Sequence, residues 1–352
     1  MCRDRLTARV GVAARDRGCG TVRSRGAGLV GAAGSGGGPA GDRVRSRRPR
    51  SWRGVGDRVR AHRRLGAADA VPLGRPGLEP GHHLPGAAES GWLGKVQFVG
   101  KEVWIFHNRA GQGEILRRSA GGGWSAVPLP QPLWIHQDFT AVPGAAWVIG
   151  EDDTGLKVLR YDGSNWTAQP TPDGVLFLLG ITARTAEDAW AWADTSTGTA
   201  VLRWDGTAWR DAKVPLPPNS NVHTILLEPS GRATIGGSQY TDGVPRTYLM
   251  TWDGHTWRTT YPPLNDTYTE AMVRGPGGAL WLPVRSDRAF QSKYARVDGN
   301  RTTFSYGPRR TNAIDVKPRA LTRAGSSLLS FGTAEIYGSK PNVMSERLGG
   351  RP

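Results

Sequence analysis

The chain has 352 residues, with 46 Lys and Arg against 30 Asp and Glu and a formal net charge of +16. No stretch approaches the roughly 18 apolar residues that a membrane helix needs, which excludes a helical integral membrane protein. The only cysteines are Cys2 and Cys19, so no disulfide framework, zinc knuckle or catalytic thiol is available after residue 19.

The charge is unevenly placed. Residues 1–91 hold 18 Arg and 7 acidic residues, or +11, whereas residues 92–352 hold 28 basic and 23 acidic residues, or +5. The first segment also has 19 Gly and no Lys, Ile, Phe, Tyr, Asn or Gln. Most of the absent types have AT-rich codons, while Arg, Gly, Ala and Pro have GC-rich ones. A GC-rich gene read in the wrong frame, or from a start codon placed too early, gives this composition. The competing reading is an Arg-rich arm that binds nucleic acid or an anionic surface, with Arg43-Val44-Arg45-Ser46-Arg47-Arg48-Pro49-Arg50 as a dense run. Trp52 is its only aromatic residue, so bases have almost nothing to stack on, and nucleic acid is an expected partner only if the segment is a real product. On either reading residues 1–91 cannot bury enough apolar surface to fold, and disorder is expected. No signal peptide is visible, because glycines interrupt the apolar stretch Ala27–Gly34.

Residues 92–352 repeat. A phrase of Tyr or Trp, Asp-Gly, two residues and Trp occurs as Tyr161-Asp162-Gly163-Ser164-Asn165-Trp166, as Trp204-Asp205-Gly206-Thr207-Ala208-Trp209 and as Trp252-Asp253-Gly254-His255-Thr256-Trp257. A weaker copy ends at Trp124, and the steps from Trp124 to Trp166, Trp209 and Trp257 are 42, 43 and 48 residues. A second marker, a small residue followed by Trp and an alternating apolar run, is anchored at Trp104, Trp147, Trp190, Ala233, Trp281 and Leu328, with steps of 43, 43, 43, 48 and 47. Two independent markers with one period mean a repeat architecture.

Each unit reads as four short strands. In the third, Leu176–Ala183 is strand one, Ala189–Ala193 strand two, Thr199–Trp204 strand three and Thr207–Val214 strand four. Asp205-Gly206 is expected to form a two-residue type I′ hairpin that sets Leu202 opposite Trp209 and Trp204 opposite Thr207. Alternation places these four on one face, so the tryptophans cover a neighbouring sheet. Units of 43–48 residues, each a four-stranded antiparallel sheet, describe an all-β β-propeller. Six units are countable, or seven if one is lost, starting near Leu93, Trp134, Val175, Val222, Tyr268 and Ala313. The last reaches strand three at Asn342–Leu348 and lacks a fourth strand.

The run Ala186-Glu187-Asp188-Ala189-Trp190-Ala191-Trp192, followed by the repeat phrase, resembles the repeats of bacterial, often secreted, Asp-box (BNR-like) propellers of the sialidase-like superfamily. It departs from the strict box Ser-x-Asp-x-Gly-x-Thr-Trp in that Asp and Gly are adjacent. The resemblance implies binding of a ligand or surface more often than catalysis, and an extracellular or cell-surface location, with the cytoplasm as the alternative.

In a propeller the strand 2–3 and strand 4–1 loops share one face. The first set is expected at 108–113, 151–155, 194–198, 239–246, 287–291 and 334–340, and the second set is Pro-rich. The innermost strands begin about 11 residues before each anchor, which points His136, Asp138, His223, Glu270, Asp315 and Lys317 at the mouth of the central channel. These residues are the expected ligand-binding set, against the plainer reading of a water-filled channel lined by solvated groups. No metal site, cofactor or catalytic residue is expected. The Phe/Tyr-Arg-Ile-Pro signature of sialidases is absent, as are His-Glu-x-x-His, Gly-x-Ser-x-Gly and a phosphate loop. Glu151-Asp152-Asp153 reads as a solvated turn rather than a Ca²⁺ site. Three functions follow from this: a noncatalytic propeller for a glycan, peptide or protein; a glycoside hydrolase or lyase using paired carboxylates such as Glu270 and Asp315; and binding of nucleic acid or an anionic surface through the Arg-rich arm. A lectin would place Trp134, Tyr240, Tyr261 and Tyr268 on the loop face.

Overall fold

The computed structural model describes residues 91–109, 112–133, 135–264, 271–338 and 342–349. The expectations for residues 1–90, disorder and the basic arm included, lie outside the described residues.

Alternating short apolar runs and tight turns fold into six antiparallel meanders. Blade one is β1 (Gly91–Val99), β2 (Glu102–Arg109), β3 (Gln112–Arg118) and β4 (Trp124–Pro128). Blade two is β5 (Ile135–Val142), β6 (Ala145–Asp152), β7 (Gly155–Tyr161) and β8 (Trp166–Gln169). Blade three is β9 (Val175–Thr185), β10 (Asp188–Thr195), β11 (Gly198–Trp204) and β12 (Trp209–Asp211). Blade four is β13 (Ser220–Leu227), β14 (Ala233–Thr241), β15 (Val244–Trp252) and β16 (Trp257–Thr260). Blade five is β17 (Val273–Arg274), β18 (Leu280–Val284), β19 (Lys293–Asp298) and β20 (Arg301–Tyr306). Blade six is β21 (Ala313–Ala324), β22 (Ser327–Ile336) and β23 (Asn342–Leu348), a three-stranded sheet among the described residues. The protein is a six-bladed β-propeller, as the period implies.

The apolar core is divided among the blade interfaces. Trp104 of blade one packs edge-on against Tyr161 of blade two, with centroids 6.4 Å apart, and Tyr161 packs on Trp166 at 5.1 Å. Trp147 is fully buried in a cluster with Trp204 and Trp209 of blade three, which lie 5.9 Å apart. Trp190 meets Trp257 of blade four at 6.1 Å, and Trp257 meets Trp252 at 5.5 Å. The strand-two Trp of one blade thus rests on the aromatic pair flanking the Asp-Gly turn of the next.

An arginine of strand three lies directly across from each of these tryptophans: Arg117 from Trp104, Arg160 from Trp147 and Arg203 from Trp190. Their guanidinium carbons sit 4.4, 5.8 and 5.7 Å from the ring centroids. In blades one and three a carboxylate two residues before the Trp completes the layer. Glu102 accepts from the Trp104 indole and from Arg117, and Asp188 accepts from the Trp190 indole, Arg203 and Arg184. In blade two that position is Ala145, and the Trp147 indole nitrogen has no protein partner.

Three local expectations are corrected. Trp204 pairs with Trp209 and Leu202 with Asp211, so the Asp205 turn is a four-residue loop rather than a two-residue type I′ hairpin. The Asp205 carboxylate accepts the backbone N–H groups of Thr207 and Ala208, both at 2.9 Å, and the Thr207 hydroxyl at 2.7 Å. This side-chain bonding replaces the turn geometry that two positive-φ residues would supply, and only Gly206 takes a positive φ, of 98°. Asp162 and Asp253 hold their loops in the same way. A two-residue slip keeps side-chain parity, which is why the tryptophans still face the neighbouring blade. Positive φ at both turn residues occurs instead at Asp242-Gly243, between β14 and β15.

The anchors Ala233 and Leu328 are each one residue early. Thr234 and Leu329 occupy the register of the tryptophans, opposite Thr251 and Arg347. Finally, the strand 2–3 connections of blades two, three and four are two-residue hairpins, because the polar residues assigned to loops continue the ladders.

Removing a fully buried indole leaves a cavity that rigid sheets cannot close. Trp147→Ala is expected to lose about 3–5 kcal/mol, read as a lower urea midpoint of the full chain.

The turn carboxylates also carry a pH dependence. Backbone N–H groups of Thr256 and His255 hold the Asp253 carboxyl at about 2, below its ordinary 3.8. The Thr207 hydroxyl and Arg210, with the two N–H groups, hold Asp205 lower still. Because the folded-state pKa is depressed, this contribution is complete above the ordinary carboxylate pKa and is lost as pH falls through the folded value. Thermal stability should therefore fall between about pH 4 and pH 2 and fall less steeply in Asp253→Asn; an unchanged slope would deny the turn its role.

Candidate functional site

The innermost strands carry a common irregularity that aims their side chains. In β1, β5, β9, β13 and β21 the ladder to strand two is interrupted by inserted residues at one level. These residues are Gly94 and Lys95, Gln137, Leu179, His223 and Arg319. A bulge of this kind bends the strand and redirects the side chains beside it. The residue across from it is small in four blades, Gly150, Ala193, Gly237 and Gly332. A Cβ on Gly237 would lie 2.1 Å from the Asn221 carbonyl oxygen, and one on Gly332 would lie 2.0 Å from that of Lys317.

Asp138 stands directly after the bulge of β5. Its Oδ2 accepts from Lys95 Nζ of blade one and from the backbone N–H of Ile181 of blade three, both at 3.1 Å, and its Oδ1 accepts the Phe139 N–H at 2.8 Å. Lys95 also donates to the Ile181 carbonyl at 3.3 Å. One carboxylate therefore ties the innermost strands of three consecutive blades. Gln97 reinforces the first of these seams by accepting the Ala141 N–H at 2.7 Å.

His223 Nε2 lies 3.0 Å from the buried Ser238 hydroxyl of its own blade. Lys317 is flanked by Asp315 at 2.9 Å and Glu335 at 2.7 Å. Partial burial opposes the Lys317 charge, but the two carboxylates outweigh it and raise its pKa above the usual value. Asp315 and Lys317 are thus brought together, whereas Asp138 and His223 are each engaged on other blades. His136 lies on β5 opposite Gly150, and its side chain is outside the described residues, as is all of Glu270. In the acidic turn, Asp152 pairs with Lys157 at 3.0 Å and accepts from Gln131.

Two features escaped the reading of the sequence. One is a buried cluster between blades five and six. The Glu346 carboxylate is held by Arg310 at 2.9 Å, by Tyr294 at 2.7 Å and by the Ser292 hydroxyl. Burial and the adjacent Glu346 raise the Tyr294 phenol above its ordinary pKa. Strict alternation along β23 would have shown it, since Glu346 shares the inward parity of Met344 and Leu348. With three donors on one carboxylate, the cluster acts as a staple. The other is a cationic and aromatic rim on blade five. Arg288 lies 3.8 Å over Tyr306, Lys293 lies 4.5 Å over Phe304, and Arg309 lies 5.4 Å over Phe290. On blade four Arg246 covers Tyr261 at 4.2 Å.

No protein-family model matches the chain, and no curated protein matches it in sequence. Solved structures do. A structure of YCF48 bound to a D1 peptide is 17% identical, with 81% of this chain and 86% of that chain covered at a TM-score of 0.48. Virginiamycin B lyase from Staphylococcus aureus is 18% identical over 71% and 82%, with a TM-score of 0.46. The β-propeller domain of the Trilobed protease from Pyrococcus furiosus, described as having an open velcro topology, is 9% identical over 72% and 82%, with a TM-score of 0.50. At such identity this last likeness speaks for the propeller fold alone. No helix among the described residues is long and apolar enough to cross a membrane.

The Asp138 junction can be separated into its parts. Asp138→Ala strands the buried N–H of Ile181 and should cost about 1–3 kcal/mol, whereas removing the half-exposed ammonium in Lys95→Ala should cost less than about 1 kcal/mol. Equal losses in urea denaturation would make the ion pair, rather than the backbone bond, the joint between blades.

Proposed function

We propose that the chain is a noncatalytic binding propeller that takes a peptide or protein ligand on the face formed by its strand 2–3 and strand 4–1 loops. The observation that carries this reading is the state of the described carboxylates at the channel level: Asp138 is held by Lys95 and two N–H groups, and Asp315 and Glu335 are both paired with Lys317. A hydrolase would need one such group poised as an acid and another as a base or nucleophile. Against a glycan, the Tyr261 ring is covered by Arg246 and its hydroxyl donates to Gln239 at 2.7 Å, so one of the four expected sugar platforms is already engaged, while Tyr240 is exposed and Trp134 and Tyr268 lie outside the described residues. His136, Asp138, His223, Glu270, Asp315 and Lys317 are proposed as the floor of this face.

The turns at Asp162, Asp205 and Asp253, with one carboxylate capping two N–H groups, support assignment to an Asp-box-like repeat class. That class supports an extracellular or cell-surface location. Residues 1–90, which precede β1, are proposed as a segment distinct from the propeller.

The test sets binding against turnover. The full chain is screened on peptide and glycan arrays and, in parallel, for release of chromogenic leaving groups from glycosides. Saturable peptide binding without turnover is expected. Turnover abolished by Glu270→Gln or Asp315→Asn would replace this reading with the hydrolase.

A further inference from the structure

The positive charge of the propeller is densest on blade five. Residues 285–310 contain seven basic and two acidic residues, which is +5, while the rest of 92–352 contains 21 of each sign. The neutral remainder is itself uneven, at +3 in 92–133, −4 in 134–173, −2 in 174–284 and +3 in 311–352, so the β18–β19 loop, β19, β20 and the loop that follows form the most basic stretch. Both acidic residues there are engaged internally, Asp287 with Lys293 at 3.3 Å and Asp298 with Arg296 at 3.3 Å. Arg288, Arg301 and Arg309 are exposed.

The backbone adds a second feature. β20 is the outermost strand of its sheet and, at six residues, the longest fourth strand described; β4, β8, β12 and β16 have five, four, three and four. Among the described residues no further strand pairs with its outer edge, and such an edge is the template on which an extended peptide can add as a further strand. The rings along this rim, Phe290, Phe304 and Tyr306, each carry a cation over one face. Phe290 and Phe304 stay about two-fifths exposed, and the cations held over the rings are the charged recognition elements of the rim.

We infer that the outer edge of blade five, from the β18–β19 loop along β20, docks an acidic, extended polypeptide segment of a partner. Backbone bonds along β20 would fix its register, and Arg288, Arg301 and Arg309 would receive its carboxylates in charge-assisted hydrogen bonds. This inference deepens the binding-propeller reading and rests on it.

The experiment measures fluorescence anisotropy of a labelled oligoglutamate with the full chain, beside a neutral peptide of equal length, a single-stranded oligonucleotide and a heparin fragment. Arg288→Glu/Arg309→Glu is compared with Lys101→Glu/Arg232→Glu, which reverses the same charge on exposed turns of blades one and four and leaves residues 1–91 untouched. Arg288→Gln/Arg309→Gln serves if the first variant does not fold. Oligoglutamate affinity should fall at least about tenfold in the blade-five variant and change less than about twofold in the control. Equal losses in both variants, or a loss in neither, would overturn the inference, as would oligonucleotide or heparin binding that is tighter and equally dependent on blade five. Binding of the neutral peptide, unaffected by either variant, would overturn the acidic docking strip while leaving the binding-propeller reading standing.

Discussion

The fold depends on one contact repeated around the ring, the strand-two tryptophan of each early blade resting on the aromatic pair of the next. A propeller has no common core, so stability is a sum of neighbouring interfaces, and each must exclude water by itself. An indole suits this place because it buries a large flat area with little loss of side-chain freedom. The arginine across the ladder then covers the face of the ring and keeps its own charge near the rim. Arg160 shows the economy of this layer, lying 5.8 Å from both Trp147 and Trp204 and so serving two blades at once.

The interface between blades four and five is built differently. Thr234 replaces the tryptophan, and Arg274 of blade five reaches in to bond Glu228 at 2.7 Å and the Thr234 hydroxyl at 3.3 Å. This polar bond lies beside an apolar cluster in which Leu249 of blade four packs with Leu280 and Leu282 of blade five, and it adds fixed hydrogen-bond geometry to that packing. Here the repeat lengthens to 47 residues, from Thr234 to Trp281, and the described part of the first strand, β17, is Val273–Arg274. The basic and aromatic rim is found on the same blade. Departure from the repeat and concentration of charge coincide, as expected where sequence answers to a ligand more than to packing.

The period was legible in the sequence because tryptophan is rare and its spacing survives errors in every other residue. Register was less so. Asp205-Gly206 invites a type I′ hairpin by composition, yet the decisive bond comes from a side-chain oxygen reaching the N–H groups of Thr207 and Ala208, and composition does not reveal that choice. The polar stretch 194–198 looked like a loop because strand ends that reach solvent need no apolar residues, although Asp194 and Thr195 are still paired in the ladder. The Asp138 junction was half visible. Lys95, Asp138 and Ile181 are spaced 43 residues apart, so they occupy one level of three blades, and aligning the units would have put the carboxylate beside the ammonium. What no alignment of units could supply is that Asp138 turns sideways, since that follows from the inserted residue Gln137 and the bend it forces.

Net charge taken over the whole chain conceals two unrelated sources. Of the +16, +11 lies in residues 1–91 and +5 in residues 285–310, while the charges of the other blades cancel one another. Charge spread along an Arg-rich sequence attracts any polyanion, and salt screens it readily. Charge fixed on β20 and its flanking loops acts at short range with defined geometry, so it discriminates among anions by shape as well as sign. Two sources that respond differently to salt and to substitution cannot be read from one affinity. The position of the arginines, rather than their number, carries the information about a partner.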